Sequence, residues 1–328
     1  MMPGSFWKNK RVFITGISGF VGSRLAMFLI EEGAYVIGLT RTLAKVPSTL
    51  KDVPVYIGDV CDYELMRTII SYEEVDTIYH LAANAIVRTS AKDPLGAYKV
   101  NVMGTTSVLE AARAVGGIRK IVVASSDKAY GDHTDLPYRE THALQPKNTY
   151  DTSKACMDMI ARSYAHNYDM PIIVTRCSNI YGPGDMNLSR LIPNTIKRVL
   201  NREPPLVYSD ISNMEREFIY IDDVIDAYDT LGYVEDKCFK NMRWRAVNVG
   251  GNGPKKIIDV VTEISNILGS DLCCEVVERA PQFKEIQKQY IHAGRMKELG
   301  WEPETSLEAG LRKTVEWYKK FYQDGEYS

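Results

Sequence analysis

Short runs of β-branched residues alternate, through the first half of the chain, with longer stretches of helical apolar spacing. Arg11–Thr15, Tyr35–Thr40, Val55–Val60, Thr77–Leu81, Lys120–Ser125 and Ile172–Cys177 read as strands buried on both faces. Phe20–Glu32, Asp62–Ser71, Leu95–Val115 and Tyr150–Tyr168 read as the helices between them. This alternation predicts a parallel sheet with helices on both sides, doubly wound because crossovers are right-handed. After Cys177 the rhythm changes: Asn179–Asp185 and Asn201–Pro205 are rich in turn residues, and Ile257–Leu268 and Leu307–Tyr322 return to helical spacing. The expected class is α/β, a doubly wound parallel sheet with a smaller C-terminal α/β lobe. We expect residues 1–178 to form the sheet-bearing part, 219–250 to return to it, and 179–218 with 251–328 to form the smaller lobe. No internal repeat or low-complexity tract points to a solenoid.

Composition narrows the function. The 328 residues are 45% hydrophobic and 25% charged, which excludes a mostly disordered chain. Forty Lys and Arg face forty-two Asp and Glu, so a net charge of −2 advertises neither nucleic acid nor an anionic membrane as partner. No apolar run reaches the length of a membrane span, and no secretory signal is visible at the N-terminus. The six cysteines are scattered, without C-x-x-C or a histidine at zinc spacing, so we expect reduced thiols, a cytoplasmic location and no metal.

Thr15-Gly16-Ile17-Ser18-Gly19-Phe20-Val21-Gly22 follows the first strand and opens the first helix. Gly16 suits a tight turn, Gly19 lets the backbone approach a pyrophosphate, and Gly22 allows close packing. The helix N-terminus offers free N–H groups to the anion. The spacing G-x-x-G-x-x-G also fits a structural turn, but the strand before and helix after favour a dinucleotide. The second strand ends in Leu39-Thr40-Arg41, with no carboxylate for a ribose 2′-hydroxyl and a guanidinium suited to a 2′-phosphate. The expected cofactor is NADP, with NAD the alternative and a solvated Arg41 the bland reading. Asp59 and Val60 end the third strand, where an adenine edge would lie, and Asp59 equally suits a loop cap.

Tyr150 and Lys154 open a helix and lie one turn apart on one face. An ammonium beside a phenol favours the phenolate, so the pair suits general-base work, and Lys154 also suits a hold on the nicotinamide ribose. The fifth strand ends in Ser125-Ser126-Asp127-Lys128. Strand carboxyl ends face the ligand crevice in such sheets, so a hydroxyl, a carboxyl and an amine would meet substrate there unless they form a polar turn.

These motifs together resemble the extended short-chain dehydrogenase/reductases, specifically the nucleotide-sugar epimerases and dehydratases, a Rossmann-type fold. TGISGFVG (15–22), GDV (58–60), HLAA (80–83), NVMGT with Asn101, YDTSK (150–154), NIYGPGD (179–185), REFIYIDDV (216–224) and LGWEP (299–303) stand in family order over almost the whole chain. The resemblance implies that Tyr150 and Lys154 are the catalytic pair and that Ser126 meets the sugar O4. It adds Leu81, Ala82, Ala83 and Asn101 to the cofactor residues. It implies that Arg88, Asn179, Arg190, Leu191, Ile192, Arg216 and Arg279 bind the nucleotide sugar, with Pro193 beginning a helix and Tyr208 suited to stack on a base. Asp127-Lys128, with HLAANAIVRTSAKDP (80–94) and GPGDMNLSRLIP (182–193), most resembles the CDP-glucose 4,6-dehydratase branch. UDP-N-acetylglucosamine dehydratases stay open as the alternative.

The implied reaction oxidises C4, eliminates water across C5 and C6, and returns hydride to C6. Asp127 is then the acid, provided it is protonated. Lys128 is either the C5 base, its pKa lowered by burial, or an electrostatic group. Release of a 5,6-ene, a UDP-sugar 4-epimerase, and a non-catalytic NADP sensor are the other readings. The family also implies a homodimer through Leu95–Val115 and Tyr150–Tyr168, with Ala155, Cys156, Met159, Ile160 and Ser163 on the shared face unless they simply cover the sheet.

Overall fold

A computed structural model describes residues 6–235, 238, 245–278 and 286–323. In chain order the strands are β1 (Arg11–Thr15), β2 (Tyr35–Thr40), β3 (Val55–Ile57), β4 (Thr77–His80), β5 (Lys120–Ala124), β6 (Ile172–Cys177), β7 (Asn179–Tyr181), β8 (Leu206–Tyr208), β9 (Glu215–Tyr220), β10 (Ala246–Val249), β11 (Pro254–Lys256), β12 (Glu275–Val277) and β13 (Lys288–Gln289). The helices are α1 (Phe20–Glu31), α2 (Tyr63–Tyr72), α3 (Val87–Lys92), α4 (Pro94–Tyr98), α5 (Gly104–Val115), α6 (Thr149–Asn167), α7 (Leu191–Leu200), α8 (Ile221–Tyr233), α9 (Ile257–Leu268), α10 (Gly294–Glu298) and α11 (Leu307–Gln323).

Seven parallel strands form the main sheet in the order β10-β6-β5-β4-β1-β2-β3. The direction of winding reverses beside β1, the position that opens a crevice at the strand carboxyl ends. Alternate residues explain why the strands read as unbroken apolar runs. Val12, Ile14, Val122, Ile173 and Val247 enter one core with α1 and α8. Phe13, Ile121, Val123, Ile172 and Val174 enter the other with α2, α5 and α6. Both faces are dry, so neither face needs polar positions.

Outside that sheet, β9 pairs with β11, β13 and β7, and β8 pairs with β12. Several boundaries differ from the sequence reading. The stretch read as loop at Asn179–Asp185 begins with β7, held against Phe218, Ile219 and Tyr220 of β9. The segment expected to return from residue 219 starts at the end of β9, which passes directly into α8 after Tyr220. Strand β3 stops at Ile57, not Val60, because the Asp59 carboxylate turns back to accept the Cys61 N–H at 3.0 Å.

The helix expected over Leu95–Val115 is not continuous. It starts at Pro94, capped by Asp93, whose side chain accepts the Gly96 N–H at 2.9 Å. A π-turn then covers Lys99–Met103 before α5 begins. The extra residue turns Asn101 inward. Its Oδ1 accepts Asn84 N–H at 2.7 Å, and its Nδ2 donates to Ser153 Oγ at 2.8 Å and to Asn84 O at 3.2 Å. Those bonds compensate for the interrupted helical ladder, and such bulges occur often at functional sites.

Candidate active site

The glycine loop is built for close approach. Gly16 has φ +76°, and a Cβ there would stand 2.8 Å from Ala82 N. A Cβ on Gly22 would stand 2.3 Å from Gly16 O, so the third glycine serves the loop itself as well as the helix. Gly19 is the N-cap of α1 and supplies no side-chain cap, so the first-turn N–H groups at Phe20, Val21 and Gly22 lack a side-chain acceptor. Ser18 Oγ meets Thr40 Oγ1 at 2.8 Å and joins the loop to the end of β2, beyond which Arg41 is exposed. A cradle that any Cβ would fill, against an uncapped helix N-terminus, fits the pyrophosphate of a dinucleotide. Leu81 and Ala82 flank it, tied to Thr15 through its carbonyl at 3.2 Å and its hydroxyl at 3.2 Å, and Ala83 follows, partly buried. Val60 is buried, whereas Asp59 is exposed, caps its turn and lies 3.7 Å from Lys99.

Beneath this loop lies a residue that motif reading passed over. His80 is fully buried, its Nδ1 2.8 Å from Thr15 Oγ1 and its Nε2 2.9 Å from Thr105 Oγ1. Burial first, then the charge of Lys154, pushes its pKa down to about 3, so the ring is a neutral bridge between β1 and α5.

Beside it, the ends of β5 and α6 bring the expected catalytic residues together. Lys154 Nζ donates to Ala124 O at 2.8 Å, and Ser125 Oγ donates to Lys154 O at 3.3 Å. Burial lowers the Lys154 pKa to about 8. Tyr150 is buried, and burial pushes its phenol upward, opposed by the nearby Ser126 hydroxyl and by the charge of Arg190. The expected lowering of the Tyr150 pKa by Lys154 is therefore not what this arrangement does. Desolvation acts on both groups and is the larger effect on each.

Ser126 is the N-cap of a short 3-10 turn, Asp127–Tyr130. Its Oγ accepts Lys128 N–H at 3.2 Å and donates to Asp127 Oδ1 at 3.1 Å. Asp127 is 2% exposed, and its Oδ2 has no partner among the described residues. Burial raises its pKa, against the charges of Lys128 and Arg216 and the Ser126 bond. Lys128 Nζ donates to Gln289 Oε1 at 3.1 Å. The turn rests on a rigid base. Tyr130 OH donates to Asn248 Oδ1 at 2.7 Å and accepts from Arg176 Nη1 at 2.9 Å, while Arg176 holds Asp158 through bonds of 2.8 and 2.9 Å.

The expected substrate residues are distributed less simply. Arg190 caps α7 and pairs with Asp185 at 3.0 Å, near enough to bias Tyr150. Leu191, not Pro193, opens α7, and the Ile192 side chain packs in the core, so its side chain is not offered to a nucleotide. Arg216 is buried; its Nη1 donates to Glu215 O at 2.9 Å and Gln287 O at 3.3 Å, and its charge acts on Asp127. That puts Arg216 within electrostatic reach of the Asp127 carboxyl. Asn179 Nδ2 donates to Glu217 O at 2.8 Å and holds β7 to β9. Arg88, exposed on α3, lies 5.9 Å over the Tyr208 ring, bridging to β8. Arg279 lies outside the described residues. No group of His, Cys, Asp and Glu among the described residues could hold a metal ion, and no described helix is long and apolar enough to cross a membrane.

A parallel doubly wound sheet with a glycine cradle, and a Tyr-x-x-x-Lys pair next to Ser126, define an extended short-chain dehydrogenase/reductase. Residues 13–314 match the family model described as GDP-mannose 4,6 dehydratase, and the chain belongs to that family, the nucleotide-sugar 4,6-dehydratases. It is 32% identical over 326 residues to a trifunctional UDP-glucose 4,6-dehydratase/UDP-4-keto-6-deoxy-D-glucose 3,5-epimerase/UDP-4-keto-L-rhamnose-reductase of Arabidopsis thaliana, covering 95% of this chain and 48% of that protein. The chain thus spans about half the length of this relative. It is 29% identical to the CDP-glucose 4,6-dehydratase of Salmonella typhimurium, over 97% of this chain and 93% of that one. The crystal structure of dTDP-glucose 4,6-dehydratase from Bacillus anthracis in complex with NAD superposes with a TM-score of 0.83 at 28% identity, covering 96% and 98% of the two chains. UDP-glucose 4-epimerase of Thermotoga maritima, with UDP-glucose, superposes at 0.84 and 27% identity over 95% and 99%.

Proposed function

We propose that this protein dehydrates a nucleotide-activated hexose to the 4-keto-6-deoxy sugar, with CDP-glucose or a UDP-N-acetylglucosamine type of sugar as substrate. The observation that carries the reading is the buried, half-unpartnered Asp127 carboxyl with the Lys128 amine beside it. An isomerase that only oxidises and re-reduces C4 needs Tyr150, Lys154 and Ser126 and has no use for an ionisable pair next to them. A buried polar atom left open costs stability, so its retention points to chemistry.

Gly16, Ser18, Gly19, Phe20, Val21 and Gly22 would hold the dinucleotide's phosphates, with Leu81, Ala82, Ala83 and Asn101 alongside. A nicotinamide held there would supply reversible hydride transfer to the sugar. Tyr150, aligned by Ser126, takes the O4 proton. The C4 ketone acidifies the C5 hydrogen, Lys128 takes that proton or steadies the enolate, and Asp127 protonates the departing C6 hydroxyl. The raised Asp127 pKa supports its role as the acid. Arg88, Asn179, Arg190, the backbone of Leu191 and Ile192, Arg216 and Arg279 would carry the nucleotide diphosphate. The cofactor we favour is NADP, because an exposed Arg41 and no carboxylate stand at the end of β2; the Bacillus anthracis relative holds NAD. The division at residue 178, a homodimer through α5 and α6 with the exposed Met159 at the contact, and a reducing cytoplasmic setting for the free cysteines belong to the same reading.

The test is incubation with CDP-, UDP-, GDP- and dTDP-hexoses and either cofactor in D2O. Loss of one water with deuterium at C5 supports the proposal. A product of unchanged mass, inverted at C4 and without deuterium at C5, overturns it in favour of the epimerase. Loss of water with reduced cofactor left behind identifies release of the 5,6-ene.

A further inference from the structure

We propose that Gln289 aims the Lys128 amine at the hexose and offers its own amide N–H to a sugar oxygen. The inference rests on the dehydratase reading above. Gln289 closes the two-residue strand β13 and lies opposite Arg216 of β9. Nothing in the family motifs marked it, and its side chain is fully buried.

The orientation of the amide follows from donor chemistry. Lys128 Nζ carries hydrogens to donate, so the atom 3.1 Å away has to be Oε1, and Nε2 lies on the other limb of the amide. That nitrogen is buried and unpartnered, like Oδ2 of Asp127. The two open atoms do not satisfy one another. An unfilled donor and an unfilled carboxyl oxygen thus flank a single amine. Buried polar groups find partners almost without exception, and a hexose, with hydroxyls and a C4 oxygen, supplies both kinds.

Gln289 Oε1 takes one Nζ hydrogen, which leaves two directions on the nitrogen to face the sugar. The elimination then balances. The C5–H bond breaks, and its proton forms an N–H bond on Lys128. The electron pair becomes the C5–C6 double bond as the C6–O bond breaks. The Asp127 proton leaves with the hydroxyl as water, and an ammonium–carboxylate pair remains. The titratable and charged groups that face Asp127, the acid partner, are Lys128, Tyr138, Tyr150, Cys177, Arg216 and Glu217.

The experiment compares wild type, Gln289→Leu and Gln289→Glu with the sugar nucleotide that wild type dehydrates. Transient reduced nicotinamide reports C4 oxidation, and deuterium entry at C5 reports proton removal. Gln289→Leu is expected to keep oxidation within about threefold and to slow C5 exchange about a hundredfold, with a raised KM. Gln289→Glu, which keeps the acceptor and removes the amide N–H, is expected to raise KM as Gln289→Leu does and to keep C5 exchange closer to wild type. Wild-type KM and wild-type C5 exchange in both variants overturn the inference alone. A wild type that releases no water from any nucleotide hexose overturns the dehydratase reading and this inference with it.

Discussion

The Lys154 ammonium donates to the carbonyl of Ala124 at 2.8 Å, and so ties the N-terminal part of α6 to the last residue of β5. Its pKa of about 8 means that the charge falls away over the range in which many dehydrogenases are assayed. The rate of C4 oxidation is expected to decline above about pH 8 in the wild type. Lys154→Arg, which does not titrate there, should be slower but flat over the same range. Tyr150→Phe should give no transient reduced nicotinamide at any pH. Single-turnover absorbance between pH 6 and about 10 reads all three outcomes.

The glycine loop gives a graded test. A Cβ at Gly22 meets a backbone oxygen at 2.3 Å, whereas one at Gly19 meets the same atom at 3.2 Å. Gly22→Ala should weaken cofactor binding by about a hundredfold, and Gly19→Ala by about tenfold or less, a difference of about 1.4 kcal/mol. Calorimetric titration of the cofactor separates the two.

His80 makes the fold sensitive to acid. Below about pH 6.5 the unfolded chain takes up a proton at this ring, and the folded protein refuses it until about pH 3. The contribution of His80 is therefore complete above about 6.5 and is lost on acidification, by about 1.4 kcal/mol per pH unit through that window. His80→Asn should show a shallower acid limb in urea unfolding between pH 4 and about 7.

Asp158 and Arg176 are a buried ion pair, the two side chains 0% and 1% exposed, with Arg162 on the same carboxylate. Asp158→Ala leaves the guanidinium under Tyr130 uncompensated. The loss is expected to be about 3–5 kcal/mol in denaturant unfolding. Where the variant still folds, C5 exchange should suffer more than cofactor binding, because the pair supports the Asp127 turn and not the glycine loop.

The large sheet was legible because both of its faces are dry, and a strand buried twice leaves an unbroken apolar run. The site was legible where a local motif carries it, at Gly16–Gly22, Tyr150 and Lys154. The π-turn at Lys99–Met103 was not, since helical spacing looks continuous across one extra residue and only the inward bonds of Asn101 reveal it. Gln289 was invisible for a related reason. Its meaning comes from Lys128, 161 positions away, across a strand of two residues. The nearness of Arg216 to Asp127 was not legible either, because a guanidinium is read from sequence as a phosphate ligand and its neighbour lies on a different strand end.

Strand β9 becomes helix α8 between Tyr220 and Ile221 with no residue in between. The same strand carries Arg216 and lies against Gln289, while the helix begins with Asp222 gripping Arg24 of α1 at 2.9 Å. The chain has no slack here to swing on. Strand and helix therefore share one rigid junction, and the Asp222–Arg24 pair joins it to α1, the helix that opens on the glycine loop.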